Sequence, residues 1–404
     1  MTTRHAITAG FVPLLDSALI VVAKEMGFAE EQGIDLTLLR ERSWASIRDR
    51  FAVRHIDVAH ILGPMPIACN LGLNVPAPDM IVPMALGLGG NAVTVSAALW
   101  QMMERNGATT DLDARRNGTA LQTVIRSGKS LPLRFGVVHP YSGHNYELRY
   151  WLAASGIDPD RDIEIVVLPP PDMGDALASG VIDGYCAGEP WNTFGVLHRG
   201  GHIATVKAAI WRSSPEKVLG VNAEWGRTNP EAMAALLVAL HRASHWCALP
   251  ENHASLAALL SKPAYVGRDA ELLLPALNGN LAVGDGVMAT VADFFVPTAK
   301  AATFPWKSHA LWFYTQMVRW RQIEHTGKRQ HIAAETYRPD VYRAALKDLG
   351  IAMPSASAKV EGALTAETPV GSTGALTLGP DGFFDGGRFD PDDVDAYIAS
   401  QSTG

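Results

Sequence analysis

The side chains best suited to acid–base work are His55, His60, His139 and His144, with Asp16 and Asp57 as carboxylate partners. Histidine titrates near neutral pH, and a carboxylate beside it fixes its tautomer. Ser142-Gly143-His144 adds a hydroxyl close in sequence to an imidazole, the pairing that a nucleophile needs. None of these residues stands in a catalytic frame. The sequence holds no G-x-S-x-G, no H-E-x-x-H, no Walker loop and no G-x-G-x-x-G between a strand and a helix. Cys69, Cys186 and Cys247 form no C-x-x-C or zinc spacing and imply no disulfide framework. No metal or cofactor is expected, and the chemistry left to these side chains is recognition of a ligand that leaves unchanged.

Recognition needs a cleft, and the order of elements supplies one. Residues 5–9 form an apolar strand that runs into Gly10-Phe11-Val12-Pro13. Leu19, Val22, Ala23 and Met26 recur at helical spacing before Gly27, which predicts a helix with a glycine stop. Ile34, Leu36 and Leu38 alternate after Gly33; 46–53 reads as a helix, and 56–61 as a buried strand ended by Gly63-Pro64. Strands alternating with helices are the pattern of a parallel sheet. The plan then recurs. Gly10 and Gly136, Ile56-Asp57 and Ile182-Asp183, and Pro64 and Pro190 are each 126 residues apart in matching contexts. Gly33-Ile34-Asp35 is echoed, out of step, by Gly156-Ile157-Asp158. Two similar α/β lobes follow. Open sheets of this kind bind ligands at the carboxyl ends of their strands, and two such edges facing each other make a cleft.

The expected division is 1–94 for the first part of lobe I and 95–217 for lobe II. Residues 218–404 then return to lobe I and add C-terminal helices and a wrap. Gly87-Leu88-Gly89-Gly90-Asn91 reads as the hinge, 214–221 as the returning strand, and Asn229-Pro230-Glu231 as the capped start of a long helix. The Ala/Ser/Thr/Gly-rich stretch 354–374 reads as a linker or surface wrap.

With 48% apolar and 19% charged residues and a net charge of −7, the chain suits a globular core and carries no bulk attraction for nucleic acid or anionic lipid. No run of about 20 apolar residues predicts a membrane span. Met1 is followed by only a few polar residues before the first strand, which leaves no room for a secretory leader, so the expected location is cytoplasmic.

Taken in order, GFVPLLDSALIVVAKEMGFAEEQGIDLTL, SWASIRDR, DVAHILGPMP, GLGGNAVTVS, GHNYELRYWLAASGIDPD, GEPWN, PEKVLG and the late GPDGFFDGGRFDP resemble the NrtA/CmpA family of nitrate- and bicarbonate-binding proteins. The resemblance runs through nearly the whole chain. It implies a two-lobed, periplasmic-binding-protein-like α/β fold (type II) that closes on an oxyanion between its lobes. Most members are secreted lipoproteins that deliver substrate to an ABC transporter. A chain with neither leader nor lipidated cysteine resembles instead the branch of cytoplasmic nitrate/nitrite sensors typified by NasS. That branch implies nitrate or nitrite as ligand and an ANTAR-type, RNA-binding antiterminator of the NasT kind as partner, without direct contact with nucleic acid or membrane. The alternative is the solute-binding receptor of a nitrate or bicarbonate ABC transporter; an enzyme on the same fold is a third reading.

The resemblance maps the family's nitrate pocket onto Trp44, Asn91, His144 and Lys217. Nitrate is a planar monoanion and a weak acceptor, so it needs one well-placed cation and several neutral donors in a dry cleft. Lys217 would supply the counter-charge at a position where bicarbonate-binding relatives carry an acid and recruit a metal. His144 opens a helix whose free N–H groups face the cleft. Asn91 keeps a carboxamide but is shorter than the glutamine that the family implies. Trp44 offers an indole N–H and excludes water. Glu189, in GEPW, is expected to pair with a basic residue and hold the lobes together, because an unpaired carboxylate repels an anion.

Overall fold

The computed structural model describes residues 4–73, 78–128, 132–371 and 374–401. Two five-stranded sheets carry the site. In chain order their strands are β1 (His5–Phe11), β2 (Ile34–Arg40), β3 (Val58–Leu62), β4 (Met80–Ala85), β5 (Asn91–Ser96), β6 (Leu133–Val137), β7 (Ile163–Val167), β8 (Gly184–Gly188), β9 (Gly201–Val206) and β10 (Lys217–Asn222). The first sheet has the order β2-β1-β3-β10-β4 and the second β7-β6-β8-β5-β9.

The parallel sheet expected from the sequence is found only in part. β1 pairs in parallel with β2 and β3, and β6 in parallel with β7 and β8. The fourth strand of each sheet is antiparallel to both of its neighbours: β10 to β3 and β4, β5 to β8 and β9. The reason is topological. The chain crosses between the sheets twice, and each crossing strand enters from the other lobe, running against its hosts. The first crossing sits at the glycines before β5, so the boundary expected after residue 94 falls inside a strand of the second sheet.

The 126-residue repeat has a physical basis in this topology. In the first sheet the Asp57 carboxylate accepts from the Thr8 N–H at 2.9 Å, and the Asp57 N–H donates to the Thr8 carbonyl. In the second, Asp183 makes the same two bonds with Arg134, the carboxylate accepting at 2.8 Å. Gly10 and Gly136 each lie under an isoleucine, and Gly136 also lies under Met173, whose Sδ would stand 2.7 Å from a Cβ there. A Cβ on Gly10 would lie 2.9 Å from Ile56, and one on Gly136 would lie 3.2 Å from Ile182. Pro64 opens the helix Pro64–Asn70 and Pro190 precedes the helix Trp191–Arg199.

The expected hinge at Gly87–Gly90 is glycine-rich for a second reason besides conformation. Gly89 has φ +74°, and a Cβ there would lie 2.2 Å from the Phe294 carbonyl. The segment is clamped, with Leu88–Gly89 pairing antiparallel to Phe295–Val296 and the Gly89 N–H donating to the Ser214 carbonyl. Helix Pro230–Ala248 packs on Ala18–Glu25, backing the first sheet. Its first turn holds Pro230 as expected, but the Asn229 side chain donates to the Trp225 carbonyl instead of capping it. No single described helix is long and apolar enough to cross a membrane. Of the late wrap, Glu361 is fully buried, where it meets Lys359, while Trp211 stacks on Phe383 at 4.6 Å. The stretch is therefore anchored at Glu361, which accepts from the Ser308 hydroxyl at 2.6 Å, and Phe383 fixes the chain beyond it.

Candidate functional site

Polar side chains from both sheets converge between them. From the first sheet come Asp16, in the turn after β1, His60 in β3, and Glu216 and Lys217 at the entry to β10. Trp44 begins the helix Trp44–Ala52, whose preceding Ser43 accepts the Ser46 N–H at 3.2 Å. From the second come Asn91, the first residue of β5, and Lys207, which follows β9. His144 and Glu147 lie in the first turns of helix Gly143–Ala154, which Ser142 caps by accepting the Asn145 N–H at 3.0 Å. Asp16, Trp44, His60, Asn91, His144, Glu147, Lys207, Glu216 and Lys217 are all buried.

Glu216 is the centre of the group. Its Oε1 accepts from Lys217 Nζ at 2.6 Å, and its Oε2 accepts from Lys207 Nζ at 2.5 Å and from Asn91 Nδ2 at 2.8 Å. One carboxylate thus takes donors from both sheets. Gly143 permits the approach, since a Cβ there would stand 2.5 Å from Glu216 Oε2. Lys217 Nζ also donates to Asp16 Oδ2 at 2.8 Å and lies 5.5 Å from the centre of the Trp44 ring. Asp16 Oδ1 accepts in turn from His60 Nε2 at 2.8 Å. Lys207 Nζ reaches Glu147 Oε1 at 2.8 Å, close in distance but outside hydrogen-bond geometry. His144 Nδ1 stands 3.6 Å from Glu216 Oε1, beyond a hydrogen bond.

Burial and neighbouring charges set the protonation states. Burial would raise the carboxyls of Asp16 and Glu216, yet the adjacent ammonium groups win, holding Asp16 at about 2 and Glu216 well below the usual range. Burial would lower Lys217, but Asp16 and Glu216 raise it above its ordinary value. Glu147 is different: burial pushes it up to about 8 despite Lys207, so it is mostly protonated at neutral pH. Burial also lowers His60, and takes His144 down to about 3.

Four of the five residues mapped from the sequence meet here: Trp44, Asn91, His144 and Lys217. They retain unused donors. Trp44 Nε1 and both His144 nitrogens are buried without a hydrogen-bond partner. Buried polar atoms of this kind call for a partner from solvent or from a ligand. Glu189 departs from its expected role. Among the described residues it makes no ion pair; its Oε2 accepts from the Thr193 N–H at 3.1 Å, and burial pushes its carboxyl up to about 7. The lobes are bridged electrostatically by Glu216 instead. Glu189 bonds to the other lobe through its backbone, its carbonyl accepting from the Leu15 N–H at 2.8 Å.

Glu216, Lys207 and Glu147 were not singled out from the sequence. Lys207 had a signal, a single charge inside the apolar run Val206-Lys207-Ala208-Ala209-Ile210. The acid–base candidates do not form one array. His60 does meet Asp16, but the Ser142 hydroxyl donates to the His139 carbonyl at 2.7 Å, Asp57 ties strands together, and His55 is exposed beside Arg50. No group of three or more His, Cys, Asp or Glu able to hold a metal occurs among the described residues.

The chain belongs to the NMT1-like family, whose model matches residues 2–261, and it is a relative of the NrtA/CmpA binding proteins. It is 32% identical over 397 residues to the nitrate/nitrite binding protein NrtA of Nostoc sp. strain PCC 7120, covering 97% of this chain and 84% of that one. It is 35% identical over 344 residues to the nitrate import ATP-binding protein NrtC of Synechocystis sp. strain PCC 6803, covering 84% of this chain and 50% of NrtC. Its structure superposes on that of the periplasmic nitrate-binding protein NrtA from Synechocystis PCC 6803 with a TM-score of 0.86 at 27% identity, covering 99% of both chains. The fold is that of the periplasmic binding proteins. The NrtA relatives are binding proteins rather than enzymes, and the enzyme reading is set aside. The cytoplasmic location expected from the sequence is overturned, since a relative whose structure matches over 99% of both chains is periplasmic.

Proposed function

From this family and this geometry, we propose that the chain is the oxyanion receptor of an ABC-type importer, taking nitrate or nitrite between its sheets. The observation that carries the reading is the convergence of donors. Lys217 supplies an ammonium N–H, Asn91 a carboxamide N–H, and Trp44 and His144 bring buried ring nitrogens that lack partners. A planar monoanion offers acceptors to all four, and Asn91 and Lys217 are already held in place by Glu216 and Asp16. The carboxylates around Lys217 orient its ammonium group and leave it a third N–H to give. The import role named for NrtC and the periplasmic binding role named for NrtA favour the receptor over the sensor with an antiterminator partner that the sequence led us to expect.

Calorimetric titration with nitrate, nitrite, and bicarbonate with and without calcium tests this. Wild-type protein is expected to bind nitrate or nitrite, with bicarbonate silent. Trp44→Phe, which removes only the indole N–H, should weaken binding about tenfold, or roughly 1.4 kcal/mol. Calcium-dependent bicarbonate binding without nitrate binding would refute the ligand assignment. Unchanged affinity in Trp44→Phe would remove that residue from the site.

A further inference from the structure

The cluster is electrically balanced before any ligand enters. Lys207 and Lys217 are its ammonium groups, and the ionised carboxylates Asp16 and Glu216 match them. The remaining members are uncharged: Glu147 holds its proton and burial keeps both imidazoles neutral. An added monoanion would leave a dry, fully enclosed group one charge negative, and an uncompensated buried charge is expensive.

His144 is placed to cancel that charge. Its ring is fully buried, Nδ1 faces Glu216 Oε1 at 3.6 Å, and neither nitrogen has a hydrogen-bond partner. A neutral imidazole has one N–H donor and one acceptor nitrogen. With an oxyanion at Nε2 and the Glu216 carboxylate at Nδ1, the ring would face an acceptor on each side, and its own acceptor nitrogen would oppose one of them. The imidazolium donates to both.

We propose that this cleft takes up its oxyanion together with one proton from solvent, and that the proton is held on His144 between Glu216 and the bound anion. The proposal rests on the receptor reading above and adds a second ligand to it. The titratable groups around His144 are Glu147, neutral, on its own helix, and the charged Glu216 and Lys217 at the entry to β10, Lys207 after β9, and Asp16 in the turn after β1. Without the anion, burial and the two lysines keep the ring neutral. With it, the added negative charge joins Glu216 and Asp16 in favouring the imidazolium.

The test is calorimetry on the full chain with sodium nitrate at pH 7, in phosphate and in Tris, whose ionisation enthalpies differ widely. The expected result is a buffer-dependent enthalpy corresponding to uptake of close to one proton, with affinity falling about tenfold per pH unit on the alkaline side. His144→Gln keeps a donor but cannot take up the proton, so its weaker binding should be independent of buffer and pH. Equal enthalpies in both buffers with flat affinity from pH 6 to 8.5 would overturn the proposal and leave the receptor reading standing. Proton uptake that persists in His144→Gln would overturn the assignment to this ring. Nitrate that fails to bind the wild type at every pH would overturn both readings. The wild-type measurement decides the question of uptake without the variant.

Discussion

Replacing Lys217 by Met keeps the stem beside Trp44 and removes only the ammonium group. In the native protein that group lies 2.8 Å from Asp16 and 2.6 Å from Glu216. Glu216 retains Lys207; Asp16 is left with His60 alone. A carboxyl held at about 2 in place of 3.8 is stabilised in its ionised form by about 2.5 kcal/mol. Losing one partner of a buried pair costs roughly 3–5 kcal/mol, because the other charge stays desolvated. The expected loss at pH 8 is therefore about 3–5 kcal/mol, and it should depend on pH in a diagnostic direction. The folded pKa of Asp16 is depressed in the wild type, so its contribution is complete above pH 4 and is lost only as pH falls toward 2. In Lys217→Met the remaining neighbour, His60, can take a proton and replace the missing cation. Its folded pKa then rises from the burial-lowered native value, and that compensation is present below the variant's folded value and lost as pH rises through it. The deficit should thus be smallest near pH 5 and widen toward pH 8. Urea denaturation of both proteins at half-unit intervals across that range measures it. A deficit below about 1 kcal/mol at pH 8, or one that is flat with pH, would refute the claim that Lys217 neutralises Asp16.

Two further outcomes follow from the packing. Asp57→Ala and Asp183→Ala each remove a carboxylate that accepts a neighbouring strand's N–H, so each should cost about 1.5–3 kcal/mol in denaturant unfolding. Because the two clips lie in different sheets, the double variant should be additive within about 0.5 kcal/mol, and a silent single variant would show that the repeated aspartates do not act alike. Lys359→Met should leave Glu361 and Asp381 buried against His309 without their cation, destabilise the wrap by about 3 kcal/mol at pH 7, and speed proteolysis within 354–390. Glu361, held at about 2 chiefly by Lys359 against its burial, contributes above its ordinary 4.5 and loses that contribution on acidification. This deficit should therefore shrink below pH 4, and unchanged proteolysis at pH 7 would refute the anchor.

Much of the fold was legible because each lobe is built from local pattern. The strands and helices of the βαβ units follow from apolar periodicity. The 126-residue markers were readable because each performs the same task twice: an isoleucine over a glycine, an aspartate clipping a strand, a proline at a helix start. What local pattern cannot carry is direction between distant segments. β5 and β10 look like any other apolar strand, and only the double crossing between lobes makes them run against their hosts.

The site divides along the same line. Trp44, Asn91, His144 and Lys217 came from a resemblance to relatives, and the structure brings them together; Glu216, adjacent to Lys217 in sequence, was overlooked. Successive side chains in a strand point to opposite faces, so the neighbour of a lysine read as facing the cleft is naturally assigned to the other side. Glu216, however, precedes β10, and the alternation does not apply to it. Both side chains turn into the same cleft, Oε1 meeting Nζ at 2.6 Å. The consequence reaches beyond placement. With Lys217 alone, the pocket is a simple cationic trap for an anion; with Glu216 and Asp16 on that lysine, the cation is already spent. In the receptor proposed above, the attraction for a ligand then comes from the N–H groups left to it and from the proton taken up with it. Selectivity in such a site depends on how the ligand's acceptors match Trp44, Asn91 and His144, since charge alone does not distinguish it from the carboxylate already there.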